Sequence, residues 1–143
     1  MLDINRHKFF MVQLLKQIYA DPALASSLGF KGGTALMLFN DLPRFSVDLD
    51  FNLMEMSNEK DVYDKLRAIL EEHGSIRDEA KKHYGLLLVL NYEAGGRNLK
   101  VEVSSRAYPD RYELKDYLGV SMKVMHLEYM FTTSSWLFST EAR

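Results

Sequence analysis

Two aspartates in an alternating stretch of the chain are the residues best suited to chemistry. Asp48 and Asp50 lie within residues 45–53, where apolar and polar residues alternate as they do in a half-buried strand. Side chains two positions apart on a strand point to the same face, so the two carboxylates should lie side by side. Charges of one sign at that distance repel, whereas Mg²⁺ prefers hard oxygen ligands with this spacing. The pattern therefore predicts a magnesium site.

Glu102 is the predicted third member of this acidic group. It stands between Val101 and Val103 in an alternating run over residues 99–104, with Lys100 and Ser104 on its own side. If this strand lies near the first, Glu102 faces the aspartates, and three carboxylates can hold two metal ions roughly 3.5–4 Å apart for phosphoryl or nucleotidyl transfer. Glu102 would then act as a ligand or as the base for an attacking hydroxyl. The alternative is that all three acids only line solvated strand faces.

A phosphate-binding turn is predicted just upstream of the aspartates. Gly32 and Gly33 allow a close approach of the backbone to an anion, and Thr34 can donate its hydroxyl to a phosphate oxygen. The same tripeptide is common in ordinary turns, so it indicates phosphate binding only in combination with the carboxylates that follow it.

Helices and strands that position these residues follow from hydrophobic periodicity. We predict helices over residues 5–19, 22–28, 35–39, 58–72 and 127–138, and strands over residues 45–53, 84–92, 99–104 and 122–125, with a brief extended stretch at residues 30–31. Helices come first and a mixed sheet with an inserted helix follows. This order predicts an α+β domain with helices flanking the sheet.

Composition is that of one globular domain. The chain has 143 residues, 47% of them hydrophobic, and a net charge of −2, so its overall charge does not indicate a general nucleic-acid binder. It has no cysteine, which excludes thiolate metal sites and cysteine nucleophiles. No apolar run approaches the about 20 residues of a membrane span, and no signal peptide is evident, so we expect a cytoplasmic protein.

Two segments resemble one protein family. Residues 30–36, Phe-Lys-Gly-Gly-Thr-Ala-Leu, and residues 44–51, Arg-Phe-Ser-Val-Asp-Leu-Asp-Phe, are similar to the AbiEii/AbiGii toxin family of nucleotidyltransferases, in the DNA polymerase β-like superfamily. Residues 100–103, Lys-Val-Glu-Val, resemble the third element of the family pattern. The similarity spans roughly residues 9–128.

The resemblance implies a polymerase β-like fold and a nucleotidyltransferase that uses an NTP and Mg²⁺. It implies that Asp48, Asp50 and Glu102 are the catalytic and metal-binding residues. It also implies nucleotide binding by Gly32, Gly33, Thr34, Arg44 and Ser46. Family members often act as the toxin of a toxin–antitoxin or phage-defence pair, and some modify tRNA. An antitoxin and a tRNA or other RNA acceptor are therefore the expected partners.

The last residues depart from the family pattern. Glu128 fits the glutamate of the family's next helix, but Thr-Thr-Ser-Ser stands near Ser134, where a lysine is expected. We therefore expect a single domain over residues 1–143 that lacks the family's C-terminal helical domain. Two alternatives follow: a catalytically degenerate module that binds a nucleotide or a partner, and a nucleotidyltransferase acting on a small molecule.

Overall fold

Four helices and seven strands make up the structure, a computed structural model that describes residues 4–40, 46–54, 57–82, 85–93, 97–105 and 111–127. The helices are α1 Ile4–Ala20, α2 Pro22–Ser27, α3 Gly32–Asn40 and α4 Glu59–Glu71. The strands are β1 Leu28–Lys31, β2 Leu49–Leu53, β3 Ser75–Lys82, β4 Gly85–Glu93, β5 Arg97–Ser104, β6 Tyr112–Tyr117 and β7 Val120–Met125. None of the described helices is long and apolar enough to cross a membrane.

Local sequence explains where the helices begin. Asp21 accepts hydrogen bonds from the backbone amides of Ala23 and Leu24, and Pro22 occupies the first turn of α2. Asn58 accepts from the Asp61 amide and so caps α4. These predicted helix boundaries are confirmed within two residues.

All seven strands belong to one mixed sheet in the order β3-β4-β5-β2-β1-β7-β6. The β2 strand pairs parallel with β5 and antiparallel with β1, and β1 pairs parallel with β7. The other neighbours are antiparallel: β3 with β4, β4 with β5, and β6 with β7. The α+β class with a mixed sheet is therefore confirmed.

One face of the sheet forms the core with the helices. Phe30, Leu49 and Phe51 from the central strands are fully buried, in the same cluster as Leu14 of α1 and Leu66 of α4. Because side chains alternate along a strand, the residues between them turn to the opposite face. The sheet thus separates a packed core from the face that carries the polar residues of β2 and β5.

Some sequence-based boundaries were wrong. The β2 ladder begins at Leu49, so Asp48 precedes the strand instead of lying within it, and α3 begins at Gly32, three residues earlier than predicted. Two strands, β3 and β6, were not predicted. Arg44 and nearly all of the predicted final helix, residues 127–138, lie outside the described residues.

Candidate active site

Three predicted carboxylates meet on the polar face of the sheet. Asp50 of β2 and Glu102 of β5 are direct Cα partners on neighbouring parallel strands. Asp48 comes one residue before β2, and the buried Leu49 between the two aspartates directs both of them away from the core. Charge interactions couple Asp50 to both other acids. The three acids therefore lie in neighbouring positions of the sheet, and their role as one site stays a prediction.

Burial and mutual repulsion make this group electrostatically costly. Burial is the main cause, and the charges of Asp48 and Glu102 the next, that together raise the pKa of Asp50 to about 6 against a smaller opposing effect of nearby lysines. Burial is also the main cause that raises the pKa of Asp48. The site therefore holds carboxyl groups whose ionised forms are disfavoured in the free protein.

Two lysines lie beside the acids. Lys100 Nζ is 3.9 Å from Asp48 Oδ2, and Lys31 of β1 is the Cα partner of Asp50. Both positive charges lower the pKa of Asp50. The sequence analysis did not assign Lys31 to the site. Its place beside the glycines and the shared face of Lys100 and Glu102 were the only signals in the sequence for these positions.

The glycine turn lies against the Asp50 carboxylate. Gly32 has a φ of 86°, in the left-handed region, and a Cβ there would lie 2.8 Å from Asp50 Oδ2. A side chain at this position is therefore disfavoured by the backbone conformation, and it would require the Asp50 carboxylate to shift. The helix α3 starts here, close to Asp50, and anion binding by its first amides stays a prediction.

Thr34 and Ser46 lie where the turn meets the segment that carries Asp48. The buried Thr34 hydroxyl is within hydrogen-bond reach of the Asp48 backbone carbonyl and of Ser46 Oγ, which is 3.0 Å away. Its single hydrogen can serve only one acceptor at a time. This geometry gives Thr34 a role in orienting the Asp48 backbone. Phosphate contacts by Gly32, Gly33, Thr34 and Ser46 stay predictions.

The oxygen atoms of the three acids are the kind of ligand that a hard divalent cation prefers. Asp48, Asp50 and Glu102 offer only carboxylate oxygens. The pKa of Asp50 is raised first by burial and then by repulsion from the other two acids, and a bound cation would favour the ionised carboxylates. Within the described ranges, no group of three or more acidic or histidine side chains is already close enough to hold a metal ion. Their side chains would therefore have to converge when a cation binds.

Buried His7 was missed by the sequence analysis as a neighbour of the site. Its ring lies within hydrogen-bond distance of the Val47 carbonyl, 2.9 Å away, and its charge would lower the pKa of Asp48. Its position four residues before the buried Met11 was the one sign that it faces the interior.

Comparisons with known proteins agree with this fold. A crystal structure described as that of a proposed nucleotidyltransferase from H. pylori matches with a TM-score of 0.60 and 23% identity over 89% of this chain and 55% of that one. JHP933 from Helicobacter pylori matches with a TM-score of 0.59 and 22% identity over 90% of this chain and 54% of that one. This chain thus spans about half the length of those proteins. No curated protein matches it.

A family model decides the assignment. The model described as nucleotidyl transferase AbiEii toxin, Type IV TA system, matches residues 13–133, which is most of the chain. That range contains the glycine turn and all three carboxylates, and the two solved structures share the fold. The chain therefore belongs to the AbiEii nucleotidyltransferase toxin family.

Proposed function

We propose that the chain is a Mg²⁺-dependent nucleotidyltransferase. An acceptor hydroxyl attacks the α-phosphorus of an NTP. The bond from that phosphorus to the oxygen between the α- and β-phosphates breaks, and pyrophosphate leaves with the electron pair of that bond. The observation that carries this proposal is the pairing of Asp50 with Glu102 on adjacent strands, beside the glycine turn. Family membership supports the same reaction class.

Each residue type of the site suits one part of this reaction. Asp48 and Asp50 would hold Mg²⁺, with Glu102 as a further ligand or as the base that takes the proton of the attacking hydroxyl. The bound cation would neutralise charge on the phosphates. The turn at Gly32 and Gly33 offers backbone amides to a phosphate oxygen. Lys31 and Lys100 add positive charge next to the acids.

Partners and place of action follow from the family and the charge of the chain. The family name supports a toxin with a cognate antitoxin. We propose that an RNA, such as tRNA, is the acceptor and that the protein acts in the cytoplasm. Because the net charge is −2, such an RNA would be held by local basic residues and not by a general attraction to the whole protein.

Nucleotide binding is the first test of this proposal. Each of the four NTPs is titrated calorimetrically into the protein with and without Mg²⁺, alongside Asp50→Asn. We expect binding of at least one NTP that depends on Mg²⁺ and weakens at least about tenfold in the variant, since one coordinating carboxylate is lost. Asp116→Asn, at an exposed strand position away from the site, is the matched control and should bind normally.

Transfer is tested with α-labelled NTP and three acceptor pools: purified tRNA, the remaining RNA, and protein. Label on an RNA pool that requires Mg²⁺ and Asp50 supports the proposal, and label on protein would replace the proposed acceptor. If no NTP binds, the enzyme proposal fails and a degenerate binding module takes its place.

A further inference from the structure

His7 is a polar ring on the buried face of α1. Its side chain is 1% exposed and shares that helix face with apolar residues such as Met11 and Leu14. Burying an imidazole costs free energy unless its nitrogens are hydrogen-bonded. A phenylalanine would fill a similar volume without that cost. The hydrogen bonds of His7, rather than its packing, therefore distinguish it from an ordinary core residue.

Two hydrogen bonds of His7 indicate the tautomer of its neutral ring. Nε2 lies 2.9 Å from the backbone carbonyl oxygen of Val47, and because a carbonyl can only accept, Nε2 must carry a hydrogen. In the neutral ring Nδ1 then accepts from the Tyr92 hydroxyl, 2.5 Å away. The Tyr92 ring is itself stacked on Phe10, with centroids 3.9 Å apart. The imidazole is thus held from the side opposite to Val47.

The carbonyl that His7 holds belongs to the residue just before Asp48. Residues 46–48 precede the first ladder pair of β2, whereas Asp50 is fixed by pairing with both β1 and β5. The next carbonyl, that of Asp48, lies against the Thr34 hydroxyl. Side chains from α1 and α3 therefore contact two consecutive carbonyls of this segment. The two aspartates are positioned by different means.

We propose that His7 is a positioning residue that fixes the backbone of Asp48 so that its carboxylate meets the cation and the nucleotide. The role at the nucleotide rests on the proposed function. His7 acts through Val47 and does not touch the substrate. Losing a group that orients a metal ligand ordinarily weakens metal affinity roughly 10–100-fold, so the effect should be measurable.

Two substitutions at position 7 separate packing from hydrogen bonding. His7→Phe keeps a buried ring and removes both nitrogens, whereas His7→Gln keeps a side-chain N–H for the Val47 carbonyl. His73→Phe is the matched control, because the His73 ring contacts Phe10, on which Tyr92 also stacks, with ring centroids 5.5 Å apart, but its Nε2 bonds to Gln17. Each variant is compared for unfolding free energy, for Mg²⁺-dependent ATP binding, and for backbone ¹⁵N order parameters without nucleotide.

We expect His7→Phe to lower the order parameters of the Val47 and Asp48 amides from about 0.85, typical of rigid backbone, towards about 0.6, while Phe51 stays rigid. ATP affinity should fall roughly 10–100-fold. His7→Gln should restore most of both quantities, and His73→Phe should change neither. Unchanged order parameters in His7→Phe, or an equal loss in His73→Phe, would overturn the proposal.

The order parameters are measured without nucleotide, so they decide the positioning role even if wild-type protein binds no NTP. In that case the proposed function fails by itself. If His7→Phe does not fold, ring ¹⁵N shifts of the wild type give the decision. A neutral ring with its hydrogen on Nε2 supports the proposal, and one with its hydrogen on Nδ1 contradicts it, because Nε2 could not then donate to Val47.

Discussion

The carboxyl group of Asp50 occupies a position that folding alone would not favour. It is largely buried, it faces Glu102 across the parallel pair, and its pKa lies at about 6 compared with an ordinary 3.8. Burying an ionised acid next to other acids destabilises the free protein. Sites that bind charged ligands often retain such a cost because the ligand relieves it.

Asp50→Asn should therefore stabilise the metal-free protein above pH 6. The folded state holds the Asp50 proton more tightly than the unfolded chain, so stability falls as pH rises from 3.8 to about 6 and stays lower above that. This difference in the pKa of Asp50 lowers the unfolding free energy of the wild type by about 3 kcal/mol at most, and an asparagine avoids that loss because it carries no charge. Urea unfolding between pH 4 and 8 should show the two proteins converging near pH 4.

Asp116→Asn, at an exposed strand position, is the control and should track the wild type at every pH. A lower stability of Asp50→Asn at pH 7 would mean that the aspartate is stabilised by its surroundings, against the direction of its raised pKa.

Among individual residues, the sequence predicted which acids belong to the site but not which residues surround them. Spacing two apart predicted that Asp48 and Asp50 lie together, whereas Glu102 joined them only on the condition that its strand lay near theirs, which the pairing of β2 with β5 meets. The contact of His7 with Val47 joins residues 40 positions apart. No local pattern encodes such a contact, because it depends on how α1 packs against the sheet.

Among the elements, the turn that begins α3 has the tightest contact with the site. Gly32 and Gly119 share a φ of 86°, but only at Gly32 does an added Cβ meet another group, Asp50 Oδ2, whereas at Gly119 there is open space within 4 Å. The two glycines therefore form a natural pair in which backbone strain is equal and the contact differs.

Gly119→Ala should cost about 1–2 kcal/mol of stability through its left-handed backbone alone. Gly32→Ala should cost more than that, and it should also weaken Mg²⁺-dependent NTP binding because the new methyl group displaces the Asp50 carboxylate. Thermal unfolding and calorimetry of both variants make the comparison. Equal stability losses with intact binding would show that Asp50 can move aside freely.

The strands that were not predicted are the two edges of the sheet. The β3 sequence, Ser-Ile-Arg-Asp-Glu-Ala-Lys-Lys, and the β6 sequence, Tyr-Glu-Leu-Lys-Asp-Tyr, are rich in charge and lack a clear apolar face. Charged edge strands of this kind avoid pairing with other chains, and this same property removes the alternation on which strand prediction depends. The predicted β2 strand began too early for the opposite reason, since the alternation of apolar and polar residues starts before Leu49, the first residue that is paired in the sheet.

Across the whole molecule, the site lies where two parts of the sheet join. The β2 strand links the antiparallel group β3-β4-β5 to β1, β7 and β6. Its buried residue Leu49 lies between the two aspartates and packs in the common core, as Phe51 does on the same strand. Packing of the entire domain therefore sets the position of the polar face.

Leu49→Ala should destabilise the protein by about 2–5 kcal/mol, because it leaves a cavity beneath the site strand. Leu114→Ala makes the same change at a strand position that is 72% exposed, and it should stay within about 0.5 kcal/mol of wild type. Chemical denaturation of the two variants measures the difference. Similar losses for both would contradict the assignment of β2 to the centre of the core.

The raised pKa of Asp50 makes cation uptake a proton exchange. A carboxylate must be deprotonated before it can coordinate a metal, so near pH 6 each binding event would expel part of a proton into the buffer. Apparent Mg²⁺ affinity would then climb as pH rises through this range and level off above it. The heat recorded in a calorimeter would vary with the ionisation enthalpy of the buffer, because the buffer takes up the protons that the protein releases when the cation binds.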